Sequence, residues 1–111
     1  MLRKSDPYSL LTVETGRCEG RYVVAAAGDV DASTSKRLEE ALKTAEASDA
    51  RRIVLDLSEV TFLDSTGLDL LLRAQARSRA DSNRLRLVRG PRRVQRVFEL
   101  TNTEELLPFL N

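Results

Sequence analysis

Asp64-Ser65-Thr66-Gly67 is the stretch of this chain best placed to do chemistry. An apolar run, Ile53-Val-Leu-Asp-Leu57, leads toward it, and an amphipathic run leaves it from Leu68. This arrangement predicts a serine hydroxyl at the N-terminus of a helix. The first turn of a helix carries backbone N–H groups with no intrahelical partner and tolerates negative charge. A serine there has two readings: a structural cap, or a hydroxyl that accepts a phosphate. Asp64 is itself a good cap, so Ser65 is not needed for that purpose. Thr66 and Gly67 are small, which leaves room for another protein to approach.

Other chemistry finds little support. The carboxylates Asp29, Asp31, Asp56, Glu59 and Asp64 can be imagined as a Mg²⁺ cluster or an acid/base pair, but nothing in their spacing demands it. Asp31 and Asp64 are more economically read as helix caps. Histidine is absent, which removes Ser-His-Asp and Cys-His catalysis, histidine phosphotransfer and most zinc sites. Gly67 stands alone, without the glycine-rich loop and Lys-Ser/Thr that cradle a nucleotide's phosphates. No cofactor or metal is implied, and the chain is not expected to be an enzyme. Cys18 is the only cysteine. It has no thiol or imidazole partner and fits a reducing compartment.

The 111 residues suffice for one compact domain. Eighteen Lys and Arg against seventeen Asp and Glu give a net charge of +1. That balance lacks the basic excess of a nucleic-acid binder. The charge is nonetheless polarised. Arginines gather in Arg73, Arg77, Arg79, Arg84, Arg86, Arg89, Arg92, Arg93 and Arg96, and acids around Asp29, Asp31, Glu39 and Glu40 and again at Asp56, Glu59 and Asp64. The plainer interpretation is two solvated faces. No apolar stretch approaches the roughly 20 residues of a helical membrane span, and the polar start has no apolar core of a signal peptide behind it. A cytoplasmic protein without membrane association is expected.

The elements that must position the serine follow from periodicity. Residues 1–7 are polar and predicted to be disordered, with the domain spanning 8–111. Tyr8 to Thr15 reads as a strand with Leu11 and Val13 on one face, Gly16 to Gly20 as a turn, and Arg21 to Ala27 as its hairpin partner. Asp31 is expected to cap a helix running to about Ala47, with Leu38, Ala41, Leu42 and Ala45 as its apolar stripe and Glu39–Lys43 as an i,i+4 pair on the wet side. Ile53 to Leu57 reads as a strand that is central or covered on both faces. The helix after Gly67 should turn Leu68, Leu71 and Leu72 inward. Leu85 to Val88 is a short strand. Pro91 is placed at the first position of a helix buried through Val94, Val97 and Phe98 and closed by Asn102. The tail suggests a helical turn and an edge strand around Pro108. The order predicts an α/β domain: an N-terminal hairpin leading into a mixed sheet with a parallel core and right-handed crossovers.

Three motifs in this order resemble STAS domains of the anti-sigma factor antagonist type: Gly28-Asp29-Val30-Asp31, Asp56 through Leu68, and Gly90 through Thr101. Asn102 stands where that family often has glycine, a change a left-handed helix cap absorbs. The resemblance implies a STAS fold and no catalysis. It implies a partner, an anti-sigma factor that is a serine kinase of the histidine-kinase-like ATPase type, whose capture frees a sigma factor. The serine matching Ser65 would be the phosphoacceptor that ends the interaction, and a phosphatase would reset it. The expected partner surface is Gly28, Asp29, Asp31, Asp64, Ser65, Thr66, Gly67 and Leu68, on a protein that is a monomer when free. Other STAS roles, as a scaffold subunit in a stress-signalling or transporter-associated complex, form the alternative. A small nucleotide-binding protein is a more distant one.

Overall fold

The computed structural model describes residues 10–111. The expected disorder of residues 1–7 and the expected strand start at Tyr8 lie outside the described residues. Strands β1 (Leu11–Cys18) and β2 (Arg21–Val30) form an antiparallel hairpin. Glu19 and Gly20 reverse the chain with φ of 52° and 82°. Two left-handed residues are enough for a tight hairpin, so Gly16 to Cys18 extend the strand instead of forming the expected longer turn.

Helix α1 (Ser35–Glu46) then leads to β3 (Arg52–Leu63), parallel to β2. Helix α2 (Ser65–Ala80) leads to β4 (Leu85–Val88), parallel to β3. The sheet order is β1-β2-β3-β4, the predicted mixed sheet with a parallel core. Helix α3 (Arg92–Leu100), a 3₁₀ turn at Glu104–Leu106 and a parallel bridge from Phe109 to Leu87 complete the chain. The tail makes the predicted helical turn, but in place of the expected edge strand it forms a single bridge to β4. Asn102 closes α3 at φ 59°, and Thr103 N–H reaches back to the Phe98 carbonyl at 2.9 Å.

A single buried cluster joins one face of the sheet to all three helices. It takes Val24 and Ala26 from β2, Ile53, Leu55 and Leu57 from β3, and Leu85 and Leu87 from β4. Leu38 and Leu42 come from α1, Leu70 and Leu71 from α2, and Val94 and Phe98 from α3. Val54 and Asp56, which alternate with the buried residues of β3, are only half-buried. The apolar run of β3 therefore reflects a central strand, not one covered on both sides.

Several local expectations need correction. Helix α1 begins at Ser35, not directly after Asp31, because the Asp31 carbonyl accepts the N–H groups of Thr34 and Ser35 in a preceding turn. Pro91 is the cap of α3 with ψ 165°, one residue before the helix. In α2, Leu70 is fully buried and Leu72 only partly. Glu39 is not on the wet side. It makes the predicted i,i+4 pair with Lys43 at 4.0 Å, but its side chain is only 13% exposed and lies 3.0 Å from Arg77 and 3.5 Å from Arg73, tying α1 to α2.

Candidate functional site

The site forms at the carboxyl ends of the parallel strands β2 and β3, the edge where open α/β sheets generally present their functional loops. Both strands run further than periodicity suggested, β2 to Val30 and β3 to Leu63. They do so through two irregularities of register. Ala25 to Ala27 faces Asp56 to Glu59, and Gly28-Asp29 faces Val60 to Phe62, so β3 carries an extra residue at each step. Such bulges bend a strand and re-aim its side chains. At the first, the Asp56 carboxylate accepts the Ser58 N–H at 2.9 Å. At the second, the Thr61 hydroxyl donates to the Asp29 carboxylate at 2.6 Å. Gly28 allows this geometry. Its φ is +113°, and a Cβ there would fall 1.7 Å from the Leu10 carbonyl oxygen.

From Leu63 the chain turns at Asp64 into α2. One Asp64 carboxylate oxygen accepts the N–H groups of Thr66 at 2.9 Å and Gly67 at 3.1 Å, and its carbonyl accepts the Leu68 N–H at 2.9 Å. Asp64 is thus the predicted helix cap. Its own N–H donates to the Val30 carbonyl at 3.3 Å, which joins the loop to the end of β2. Gly67 reinforces that junction: a Cβ would lie 2.9 Å from Val30 O and 3.0 Å from the Leu63 side chain. The smallness of Gly67 lets the first turn of α2 press on β2. It leaves no opening at the surface, because Gly67 and Leu68 are buried.

Ser65 is the first residue of α2 and is exposed, whereas Thr66 is half-buried. The Ser65 hydroxyl has no hydrogen-bond partner among the described residues. It is neither a cap nor part of a network.

Beside it stands the turn 29–34. The buried Thr34 hydroxyl donates to the Asp29 carbonyl at 2.8 Å and accepts the Asp31 N–H at 3.0 Å. The Asp31 carboxylate accepts the Ser33 hydroxyl at 2.7 Å and the Ser33 N–H at 2.9 Å. The Ser33 hydroxyl is the main cause that holds the Asp31 carboxyl below its ordinary pKa, against an opposing effect of desolvation. Asp29, Asp31 and Asp64 make no ion pair among the described residues. They do not converge: among the described residues, no three Cys, Asp or Glu side chains form a group able to hold a metal ion.

The structure therefore brings Asp29, Asp31, Asp64, Ser65 and Thr66 to one edge and uses Gly28, Gly67 and Leu68 to build the backbone beneath them. Sequence reasoning missed three residues there. Thr34 could have been found from its place three residues after Asp31. Thr61 and Phe62 lay between the strand read as Ile53 to Leu57 and the helix, in a stretch assigned to no element. Phe62 is 50% exposed.

The rest of the molecule offers less. A cavity of about 240 Å³ near the far end of α2 is lined in part by Glu46, Arg77 and Arg84. Arg77 is already paired with Glu46, and Arg84 donates to the carbonyls of Glu46, Ser48 and Ala50. Among the described residues no helix is long and apolar enough to cross a membrane.

Comparison with known proteins agrees with this architecture. A family model described as "Mlab, STAS domain" matches residues 14–108. The anti-sigma-B factor antagonist of Listeria monocytogenes is 32% identical over 85 residues, which cover 77% of this chain and 75% of that protein. The crystal structure of an anti-sigma factor antagonist from Mycobacterium paratuberculosis matches at a TM-score of 0.81 and 28% identity, covering 95% of this chain and 88% of that one. The Bacillus cell fate determinant SpoIIAA, in its phosphorylated form, shares the fold at a TM-score of 0.67 and 17% identity, over 90% of this chain and 92% of that one.

Proposed function

This chain belongs to the STAS domain family, and we propose that it acts there as an anti-sigma factor antagonist, a non-catalytic single domain over residues 8–111. It binds an anti-sigma factor that is also a serine kinase of the histidine-kinase-like ATPase type, and so frees a sigma factor. Phosphate on Ser65 ends the interaction, and a phosphatase restores it. The free protein is a cytoplasmic monomer.

The observation that carries this reading is the state of Ser65. Its hydroxyl is exposed and unengaged at a helix N-terminus whose cap is already supplied by Asp64. A phosphate can be added there without breaking any internal bond. The three carboxylates without ion partners beside it give the surface an acidic character, suited to a kinase face rich in Arg or Lys. The names of the relatives support an anti-sigma factor as the partner, and SpoIIAA exists in a phosphorylated form.

The test mixes the purified chain with candidate serine kinases of that type and Mg-ATP, follows intact mass, and maps the modified residue. One phosphate on Ser65, and none on a Ser65→Ala variant that still binds the kinase, is the expected result. Labelling of Thr66, or undiminished labelling of Ser65→Ala, would overturn the assignment. A partner held equally by modified and unmodified protein would instead fit a scaffold subunit.

A further inference from the structure

The second bulge of β3 has a consequence beyond shaping the loop. Val60 is buried, so strict alternation along the strand would bury Phe62 and expose Leu63. The extra residue Thr61 reverses that parity. Leu63 enters the core at 4% exposure, while Phe62 is left 50% exposed, three residues before Ser65 and paired with Asp29. The reversal is held on purpose-built contacts: Thr61 to the Asp29 carboxylate, and a glycine at Gly28 that no other residue could replace without colliding with Leu10. Of the other aromatic side chains described, Phe98 is buried and Tyr22 and Phe109 pack against the core. Among the described aromatic side chains only Phe62 is half in water, in register with Asp29 and two residues before Asp64.

We infer that Phe62 is the apolar anchor of the partner interface, inserting into an apolar pocket of the anti-sigma factor kinase whose rim carries Arg or Lys. This rests on the reading of Ser65 given above. Interfaces concentrate their affinity in a few aromatic or arginine anchors, surrounded by polar contacts that exclude water. The combination here matches that anatomy: a half-exposed aromatic side chain on an edge whose carboxylates make no ion pair among the described residues. Ser65 is small and contributes little contact area. It serves as the switch, and Phe62 supplies the grip that the switch breaks.

The experiment titrates the kinase that phosphorylates Ser65 against wild type, Phe62→Ala and Phe62→Tyr. Phe62→Ala should weaken binding roughly thirtyfold or more, the range of an interface anchor. Phe62→Tyr should lose much less. Because Phe62 is half in water, both variants should melt cooperatively, close to wild type. Unchanged affinity of Phe62→Ala would overturn the proposal. In parallel, p-benzoylphenylalanine is installed at position 62 in cells, with the exposed position 100 as control, and cross-linked products are sequenced. A cross-link from 62 to a kinase, absent from 100, supports the anchor. If no kinase binds the wild type, a specific cross-link from 62 to another protein with a basic-rimmed apolar pocket upholds the anchor and sinks the kinase reading. No cross-link above the control overturns the anchor itself. A concentration-dependent dimer that Phe62→Ala abolishes would assign the residue to a second copy of the chain, and would also overturn it.

Discussion

Asp64 carries two loads that a single substitution cannot separate. Its carboxylate satisfies two of the orphan N–H groups of α2, and its charge belongs to the acidic edge around Ser65. Asp64→Ala removes both, and loss of an N-cap typically costs about 0.5–2 kcal/mol. Asp64→Asn keeps an oxygen for the cap and removes only the charge. We expect thermal melting to show Asp64→Asn near wild type and Asp64→Ala lower by that amount. Both should bind the kinase more weakly, since each loses the charge. An Asp64→Asn protein that binds as tightly as wild type would show that the edge acts by shape alone. The cap was legible in the sequence because it is local: an Asp before a small residue and an apolar helical pattern needs no tertiary knowledge. The neighbouring Asp31 shows the limit of that reasoning. It has the right residue type and an acceptor role toward Ser33, yet the helix proper waits for Ser35, because the buried Thr34 hydroxyl bonds the Asp29 carbonyl and holds residues 31–34 in a turn.

The elements repeat the lesson at larger spacing. The order of elements along the chain, the helix count and the helical turn of the tail were readable from period and punctuation, as was the identity of most core residues. Strand β3 was read at less than half its length. Ser58-Glu59 looks like a turn, and a period-two pattern cannot be followed through two bulges that each shift its phase. The same blindness hid Phe62, whose outward pointing is a product of the second bulge. Glu39 was misplaced for another reason. On an isolated α1 it sits beside Lys43 on the polar side, and only the docking of α2 brings Arg73 and Arg77 to it. Arg77 bridges Glu39 and Glu46, and the Glu46 carboxylate above all raises its already high pKa. It is 32% exposed, whereas Arg73 is 54% exposed. Exposed pairs contribute about 0–1 kcal/mol and buried ones several times more when one partner is removed. Denaturant unfolding should therefore rank Arg77→Ala as the more damaging change, by about 1–2 kcal/mol, with Arg73→Ala below about 1 kcal/mol. The reverse order would mean that the α1–α2 junction is held by its Leu38, Leu42 and Leu71 packing and the ion network is incidental.

Across the whole molecule, charge is divided between work inside the chain and work outside it. Five of the nine late arginines are engaged within the chain: Arg73 and Arg77 join α1 to α2, Arg84 ties down the loop before β3, Arg86 donates to the carbonyls of Asn83 and Leu85, and Arg89 pairs with Glu104 while lying over Phe109. Among the described residues the carboxylates of Asp29, Asp31 and Asp64 have no such ion partners, and all three stand at the serine's end of the sheet. A phosphate on Ser65 would add about 1.5–2 negative charges to that end. Within the chain its effects oppose each other. The helix N-terminus favours the charge by about 0.3–1 kcal/mol at an exposed site, and the neighbouring carboxylates disfavour it by a similar small amount through screened repulsion. No internal hydrogen bond of the Ser65 hydroxyl has to be broken. The fold should thus be indifferent to modification, with circular dichroism unchanged and the melting temperature moving by no more than a few degrees. In the proposed complex the balance would be lost, because the phosphate would have to be desolvated and accommodated beside Phe62 in place of a neutral hydroxyl. A penalty of ~3 kcal/mol would lower affinity more than a hundredfold, enough to release the proposed partner. Titration of phosphorylated and unmodified protein against the kinase, alongside their melting curves, measures both halves. A collapse of the melting temperature would show that the switch works by unfolding, and equal affinities would show that Ser65 is not the switch.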